Sequence, residues 1–276
     1  MNSKTRLMGI LNATPDSFFA DSRCSDLETA IARGIKIEAE GADIIDIGGE
    51  STRPLTVYDS PSQNVRVDDK EEIRRVIPLI QALKKQVSIP LSIDTRKPVV
   101  AEAALKAGVS FINDVGGFAD SMMRSLAAES GVEICVMHMQ GTPENMQQNP
   151  TYPEGVVKYL INWFEKRVEL LLQSGVKGSQ VILDPGIGFG KTVADNLEIL
   201  QNLAPIKALG FPVLLGVSRK SFMAKILQKA TSQLLPATIA MNTALVLKGA
   251  DLLRVHDVQE HRDVINLIKI GFNLGY

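Results

Sequence analysis

Short apolar runs alternate with longer amphipathic stretches along almost the whole of this chain, and that alternation leaves few folds open. The runs are Leu7 to Leu11, Asp43 to Ile47, Leu91 to Ile93, Phe111 to Asn113, Ile134 to Met137, Val181 to Leu183, Val213 to Val217 and Leu252 to Val255. They are short and nearly continuous in apolar character, the pattern of strands buried on both faces of a parallel sheet. The stretch Glu71 to Lys85, with Ile73, Val76, Ile77, Ile80 and Leu83, has the spacing of a helix with one buried face. Helices are also predicted over Leu27 to Glu40, Pro98 to Lys106, Met122 to Glu129, Gly155 to Gln173, Val193 to Ala208, Pro236 to Lys248 and Val258 to Phe272. Gly41, Gly108, Gly131, Gly175 and Gly249 each follow such a stretch and precede Ala or Val, where a left-handed residue ends a helix. Strand–helix units in this unbroken order predict a single α/β domain over 1–276, a (β/α)8 TIM barrel. The rival is a doubly wound open sheet, whose first turn is glycine-rich. Here the first turn is Asn12-Ala13-Thr14-Pro15-Asp16. Long loops are expected after strands 1 and 2, from Asn12 to about Ser25 and from Glu50 to about Asp69. An irregular extension runs from Met139 to Pro153, and one short extra helix is expected between Phe222 and Leu235.

Composition narrows the partners. The 276 residues are 45% hydrophobic and 22% charged, ordinary for a globular chain and enough for one barrel. A net charge of −1 gives no basic face for nucleic acid, and 5% aromatic residues give little to stack on bases. Cys24 and Cys135 are the only cysteines, one in a predicted loop and one in a predicted strand, so neither a structural disulfide nor a zinc site is expected. Cys135 reads as a small core residue. The N-terminus carries no apolar leader and no run is long enough to span a membrane, so a cytoplasmic location is expected.

Function is to be sought where the strands end. In order, the runs finish on Asn12, on Asp46 with Glu50, on Asp94, on Asn113-Asp114, on His138, on Asp184, on Ser218 with Lys220, and on Arg254 with His256. Active sites of such barrels are built at that end, so these side chains are expected to converge. Arg254 and His256 lie two apart on a strand and share a face, next to a place where barrels commonly bind phosphate. Arg254 offers a forked donor set for an anion, the alternative being a surface salt bridge to Asp257. Asp94, Asn113 and Asp184 suit the N–H-rich edge of a polar heterocycle, the alternative being a buried ionic network with Lys220. Ser218-Arg219-Lys220-Ser221 reads first as an anion or ring-edge site.

Other patterns fail. Gly186-Ile187-Gly188-Phe189-Gly190-Lys191-Thr192 has Pro185 where a phosphate loop needs its first glycine. Asn12-Ala13-Thr14 is a glycosylation sequon without meaning in the cytoplasm. His138 and His256 lack metal-spaced partners, and His261 is expected on a solvated helix face.

At this point the strand ends resemble a known family. Met8-Gly9-Ile10-Leu11-Asn12-Ala13-Thr14-Pro15-Asp16-Ser17-Phe18 and Asp46-Ile47-Gly48-Gly49-Glu50-Ser51-Thr52-Arg53-Pro54 are similar to the first two signatures of dihydropteroate synthases. Ser92-Ile93-Asp94-Thr95, Ile112-Asn113-Asp114, Met137-His138-Met139-Gln140-Gly141, Leu183-Asp184-Pro185-Gly186, Ser218-Arg219-Lys220-Ser221 and Arg254-Val255-His256-Asp257 continue the likeness over essentially the whole chain. The resemblance implies a transferase that joins 6-hydroxymethyl-dihydropterin pyrophosphate to p-aminobenzoate in folate biosynthesis. It places the pterin on Asp94, Asn113, Asp184 and Lys220, with Met137 and Gly216 beside it. It places the diphosphate on Asn12, Thr52, Arg254 and His256, with Mg²⁺ held by Asn12 and the diphosphate. It gathers Phe18, Pro54, Phe189, Lys220 and Ser221 around p-aminobenzoate, and gives Lys220, Arg254, His256, Asp94 and Arg53 the catalytic work. Closure of the first two loops would keep water out, and a homodimer is implied. One departure stands in loop 1, where Phe18 is followed by Phe19-Ala20-Asp21-Ser22-Arg23-Cys24, one residue longer than the family pattern and without its glycines. A methyltetrahydrofolate-type methyltransferase shares the aspartate–asparagine core, but should lack the Ser-Thr-Arg-Pro and Ser-Arg-Lys-Ser stretches. A non-catalytic pterin-binding module would not need Lys220, Arg254 and His256. Within Ser218-Arg219-Lys220-Ser221 the resemblance divides the labour. Lys220 bridges pterin and p-aminobenzoate, Ser221 meets the aminobenzoate carboxylate, and Arg219 points away along an extended segment as a structural residue.

Overall fold

The computed structural model describes residues 5–13, 23–50, 67–143 and 145–271, the side chains of 23–26 excepted. Eight parallel strands run β1 (Arg6–Asn12), β2 (Ile44–Gly48), β3 (Leu91–Asp94), β4 (Phe111–Asp114), β5 (Glu133–Met137), β6 (Val181–Asp184), β7 (Leu214–Leu215) and β8 (Leu252–Val255). They follow one another in space, from β6 back to β1, then to β8 and β7. A parallel bridge between Leu183 and Val213 brings β6 to the β7 side and closes the barrel. Outside lie α1 (Arg23–Ala39), α2 (Asp69–Leu83), α3 (Pro98–Ala107), α4 (Ser121–Ser130), α5 (Val156–Gln173), α6 (Val193–Gln201), α7 (Leu203–Lys207), α8 (Ser221–Leu227), α9 (Leu235–Leu247) and α10 (Val258–Gly271).

The predicted elements fall where the spacing put them, with three instructive differences. The predicted helix from Val193 to Ala208 breaks at Asn202 into α6 and α7. Pro205 cannot donate to the carbonyl four residues back, and its ring crowds that carbonyl, so one continuous helix is not available. The strand predicted from Val213 to Val217 pairs regularly only at Leu214–Leu215, because the chain beyond it turns away into the α8 loop. His261, expected on a solvated face, is buried, between Asn242 at 2.8 Å and the Asp257 carbonyl at 2.5 Å. The extra helix appears as α8, and the stretch 139–153 is irregular as expected. The long loops lie largely outside the described residues.

Strand parity sorts every side chain. Met8, Ile44, Phe111, Cys135, Ile182, Leu214 and Leu252 fill the barrel as one apolar layer. Their neighbours of opposite parity, such as Leu7, Ile45, Ile112, Val136 and Leu253, face the helices and join the much larger outer core. Below the apolar layer Arg6 reaches across from β1 to Glu133 of β5 with two hydrogen bonds of 2.8 and 2.7 Å. One end of the barrel is therefore closed by an ion pair over hydrocarbon. Cys135 carries a free, buried thiol whose pKa burial pushes up. No helix among the described residues is long and apolar enough to cross a membrane.

Candidate active site

Two residues beyond the apolar layer the same inward parity delivers Asp46, Asn113, Met137, Asp184, Gly216 and Arg254. This is where hydrocarbon gives way to chemistry. Register sets Asp94 beside Asn113, and Met137 beside Asp184. Asp46 is the hub. It is fully buried and accepts from Ser92 Oγ at 2.6 Å, from Asn113 Nδ2 at 3.0 Å and from Arg254 Nε at 2.6 Å. Arg254 donates its Nη2 to Asp94 at 2.7 Å. The buried ionic network is thus real, with Arg254 hydrogen-bonded to two of its acids and Lys220 acting on Asp184 through its charge. The alternative salt bridge from Arg254 to Asp257 is not formed, since Asp257 takes Arg219 at 3.0 and 2.5 Å.

Burial pushes the Asp94 carboxyl up to about 7, against the pull of Arg254, with Asp46 adding its own repulsion. Burial also raises Asp184, although the Gly186 N–H at 2.7 Å and Lys220 oppose it. For Arg254 burial is the largest single influence and acts downward. Asp46 and Asp94 together outweigh it, so the guanidinium holds its proton more tightly than usual. Among the described residues the mouth therefore sets the Arg254 guanidinium against the carboxyls of Asp94 and Asp184, both raised by burial, an arrangement that suits a polar ligand with several N–H groups.

A second wall stands over β7 and β8. Ser218 Oγ lies 2.9 Å from His256 Nδ1 and accepts the His256 backbone N–H at 3.3 Å. Arg219 is not extended. It adopts φ 55 in a tight turn, donates its N–H to Thr238 Oγ1 and braces Asp257 with its side chain. That turn sends Lys220 to the β6 side, where its Nζ sits 4.1 Å from the centre of the Phe189 ring. Ser221 is exposed at the start of α8, and Gly216 leaves room beside Arg254. Asn12 is exposed at the end of β1, in register with Gly48.

Convergence is not complete, and parity explains the exceptions. His138 and Asp114 follow inward-facing Met137 and Asn113, so they point outward. Asp114 caps its own turn through the N–H groups of Gly116 and Phe118, each at 2.7 Å, and burial raises it to about 6. His138 lies behind the mouth against Tyr159 and Trp163, where burial lowers its pKa to about 2, with Lys191 next in effect. Glu50 is drawn to Lys97 at 3.2 Å. Phe18, Thr52, Arg53 and Pro54 lie outside the described residues. Asp46 is the functional residue that sequence reasoning named but gave no task. Its signal was a lone charge inside Ile44-Ile45-Asp46-Ile47, where only a paired carboxylate survives burial.

A parallel barrel with a buried acid–amide set, a guanidinium and an imidazole at the carboxyl ends of its strands is the frame of an enzyme acting on a polar heterocycle. The pterin binding enzyme family matches residues 8–256. A curated dihydropteroate synthase from Clostridium beijerinckii is 41% identical over 263 residues, 95% of this chain and 92% of the relative. A solved Clostridium difficile dihydropteroate synthase, studied in the presence of pteroic acid, superposes with a TM-score of 0.89 at 40% identity, covering 98% of each chain. The Xanthomonas albilineans enzyme with 4-aminobenzoic acid gives 0.88 at 36%, covering 99% of this chain and 94% of its own. The chain belongs to the pterin binding enzymes and, within them, to the dihydropteroate synthase family.

Proposed function

We propose that this barrel condenses 6-hydroxymethyl-7,8-dihydropterin pyrophosphate with p-aminobenzoate to give 7,8-dihydropteroate and pyrophosphate. One observation carries the reading. Asp94, Asn113 and Asp184 offer their polar atoms in the same mouth as Arg254, His256 and Lys220. Asp94, Asn113 and Asp184 hold the N–H edge of the pterin, against Met137 and the open side of Gly216. The carbon–oxygen bond to the diphosphate breaks and its electron pair leaves with the diphosphate. Negative charge grows there, where a ring N–H of His256 and the remaining N–H groups of Arg254 meet it. The aniline nitrogen of p-aminobenzoate attacks the methylene carbon and then loses a proton. Phe189, Lys220 and Ser221 line that side, and Phe18, Thr52, Arg53 and Pro54 complete the assignment. The Asn12 amide oxygen fits Mg²⁺, which needs few protein ligands and takes the rest from water and phosphate oxygens. When bound, the ion supplies further charge neutralisation at the diphosphate.

The test is pyrophosphate release with the dihydropterin pyrophosphate, with and without p-aminobenzoate, in the unsubstituted protein and in Lys220→Ala. We expect release that depends on p-aminobenzoate, and a loss of about 10²-fold or more in the variant, the scale for one charge-stabilising contact. Release indifferent to p-aminobenzoate, or full activity in Lys220→Ala, sinks the reading. Methyl transfer to a corrinoid instead would point to the related methyltransferases.

The Asp94 carboxyl, titrating near 7, gives a pH dependence. Accepting N–H groups requires the ionised form, so dihydropterin affinity should fall about tenfold per unit below about pH 7 and level off above it. The stability sign is opposite. Between the unfolded carboxyl value of about 4 and about 7 the folded ligand-free protein holds the extra proton, so this group's contribution falls as pH rises. Titration of dihydropterin binding by fluorescence from pH 5.5 to 8.5 checks it, and a flat profile would discard Asp94 as the titrating group.

The proposed assembly is a homodimer. Helix α9 packs beside α10, and Leu247, Leu267 and Ile270 are 47%, 69% and 83% exposed along them. An apolar face of that kind on a second copy is its natural cover. Sedimentation equilibrium should give twice the chain mass, and a monomer at micromolar concentration refutes it. The reaction and the reduced buried Cys135 both fit a cytoplasmic location.

A further inference from the structure

Lys191 is a buried lysine, 3% exposed, that the proposed chemistry leaves without work. Its ammonium makes four contacts. Three are carbonyl oxygens, Gly186 at 3.0 Å, Phe189 at 2.9 Å and His138 at 3.3 Å; the fourth is His138 Nδ1 at 3.0 Å. None is a carboxylate. A desolvated cation without a carboxylate in contact is an expensive way to stabilise a fold, and burial lowers its pKa to about 7. What the lysine holds is more informative than what it costs.

Gly186, Gly188 and Gly190 have φ of 67, 82 and 61°, so the loop between β6 and α6 alternates through left-handed residues. At Gly186 no side chain is possible, because a Cβ would lie 2.0 Å from the His138 carbonyl oxygen. Such a backbone can do little pairing with itself; its one internal turn bond joins the Phe189 N–H to the Gly186 carbonyl at 3.0 Å. Every other hold comes from side chains. Gln147 donates to the Gly188 carbonyl and Tyr152 to the Gly190 carbonyl, each at 2.7 Å, while Asn196 accepts the Gly188 N–H at 2.7 Å. Lys191 alone grips both ends of the turn that carries Phe189, and ties it to the end of β5. His138, which points away from the mouth, thereby acquires a purpose: wedged among aromatic edges, it fixes the ammonium.

We propose that Lys191 is a positioning residue for the p-aminobenzoate half of the site, acting through the Phe189 ring that it sets against Lys220. This rests on the reaction proposed above. In the pterin half Asp94, Asn113 and Arg254 stand on β3, β4 and β8 away from this turn, and Asp184 alone touches it, accepting the Gly186 N–H at 2.7 Å.

The test is Lys191→Met, with KM measured separately for each substrate. We expect KM for p-aminobenzoate to rise about tenfold or more, since displacement by an ångström at a reacting site is costly. KM for the dihydropterin pyrophosphate should change less than about threefold. Phe189→Ala closes a double-mutant cycle, in which Lys191→Met should add less than about twofold once the ring is gone. Lys191→Gln keeps an amide donor in the same space, and is expected to show the same split should the methionine variant not fold. Equal rises in both KM values, or full additivity in the cycle, overturn the proposal and leave Lys191 a purely structural residue. If the unsubstituted protein shows no release dependent on p-aminobenzoate, the proposed function itself has failed. If it does, and the variants keep the wild-type ratio of KM values, only the role of Lys191 has.

Discussion

Arg254→Met should destabilise the fold by about 3–5 kcal/mol and lower pyrophosphate release by about 10²–10³-fold. The reason lies in what the substitution leaves behind. Asp46 is fully buried, the Asp94 side chain is 14% exposed, and Arg254 bonds both, at 2.6 and 2.7 Å. Methionine fills similar space but leaves two carboxyls facing each other without a cation. Like charges then drive Asp94 further up, and protonation becomes the only relief. The stability deficit should therefore shrink as pH falls towards 5, while the activity deficit should not, because the diphosphate has still lost its guanidinium. Urea unfolding at pH 5 and pH 8 beside activity at pH 8 separates the two effects. A deficit that is the same at both pH values would show that Arg254 is not the counter-charge of this pair.

Asp46→Ala should cost a similar about 3–5 kcal/mol, for a different reason. Asn113 Nδ2, Ser92 Oγ and Arg254 Nε all lose their acceptor in a dry part of the barrel. Asp46 is 0% exposed, beneath the mouth, so it orients residues that meet ligand without meeting ligand itself. The kinetic expectation follows. KM for the dihydropterin substrate should rise by about tenfold, as Asn113 and Arg254 lose their fixed rotamers, with KM for p-aminobenzoate little changed. Asp46→Asn keeps one acceptor oxygen and should recover part of the affinity. An alanine variant with wild-type KM values would reduce Asp46 to a packing residue.

Both predictions depend on a network whose members were legible one at a time. Asp94, Asn113, Asp184, Arg254 and His256 stood out because each ends or interrupts an apolar run. Sequence grouped them by chemistry, acids with acids and cations apart. Arg254 instead spans the groups, since β8 returns to pair with β1 and brings its guanidinium over the acids of β2 and β3. Similarly, Lys220 keeps its pull on Asp184 and also lies over Phe189, a contact sequence did not foresee, because the left-handed turn at Arg219 redirects the chain after β7. Convergence of every polar strand end was too broad an expectation. His138 and Asp114 differ from Met137 and Asn113 by a single position, and in a strand one position is the difference between barrel interior and helix face.

Periodicity alone settled the class of fold, because continuous apolar runs separated by amphipathic helices have few ways to hide both faces of a strand. The residue types at the strand ends settled the chemistry: acids and an amide for donors, a guanidinium and an imidazole for an anion. Sequence could not assign partners. Ion pairs in a barrel join residues as far apart as Asp46 and Arg254, 208 positions along the chain, and only closure of the sheet decides which of several carboxylates a cation meets. Nor could it give a buried lysine in a glycine-rich turn its task, since Lys191 acts through carbonyl oxygens, which every residue carries and no sequence distinguishes.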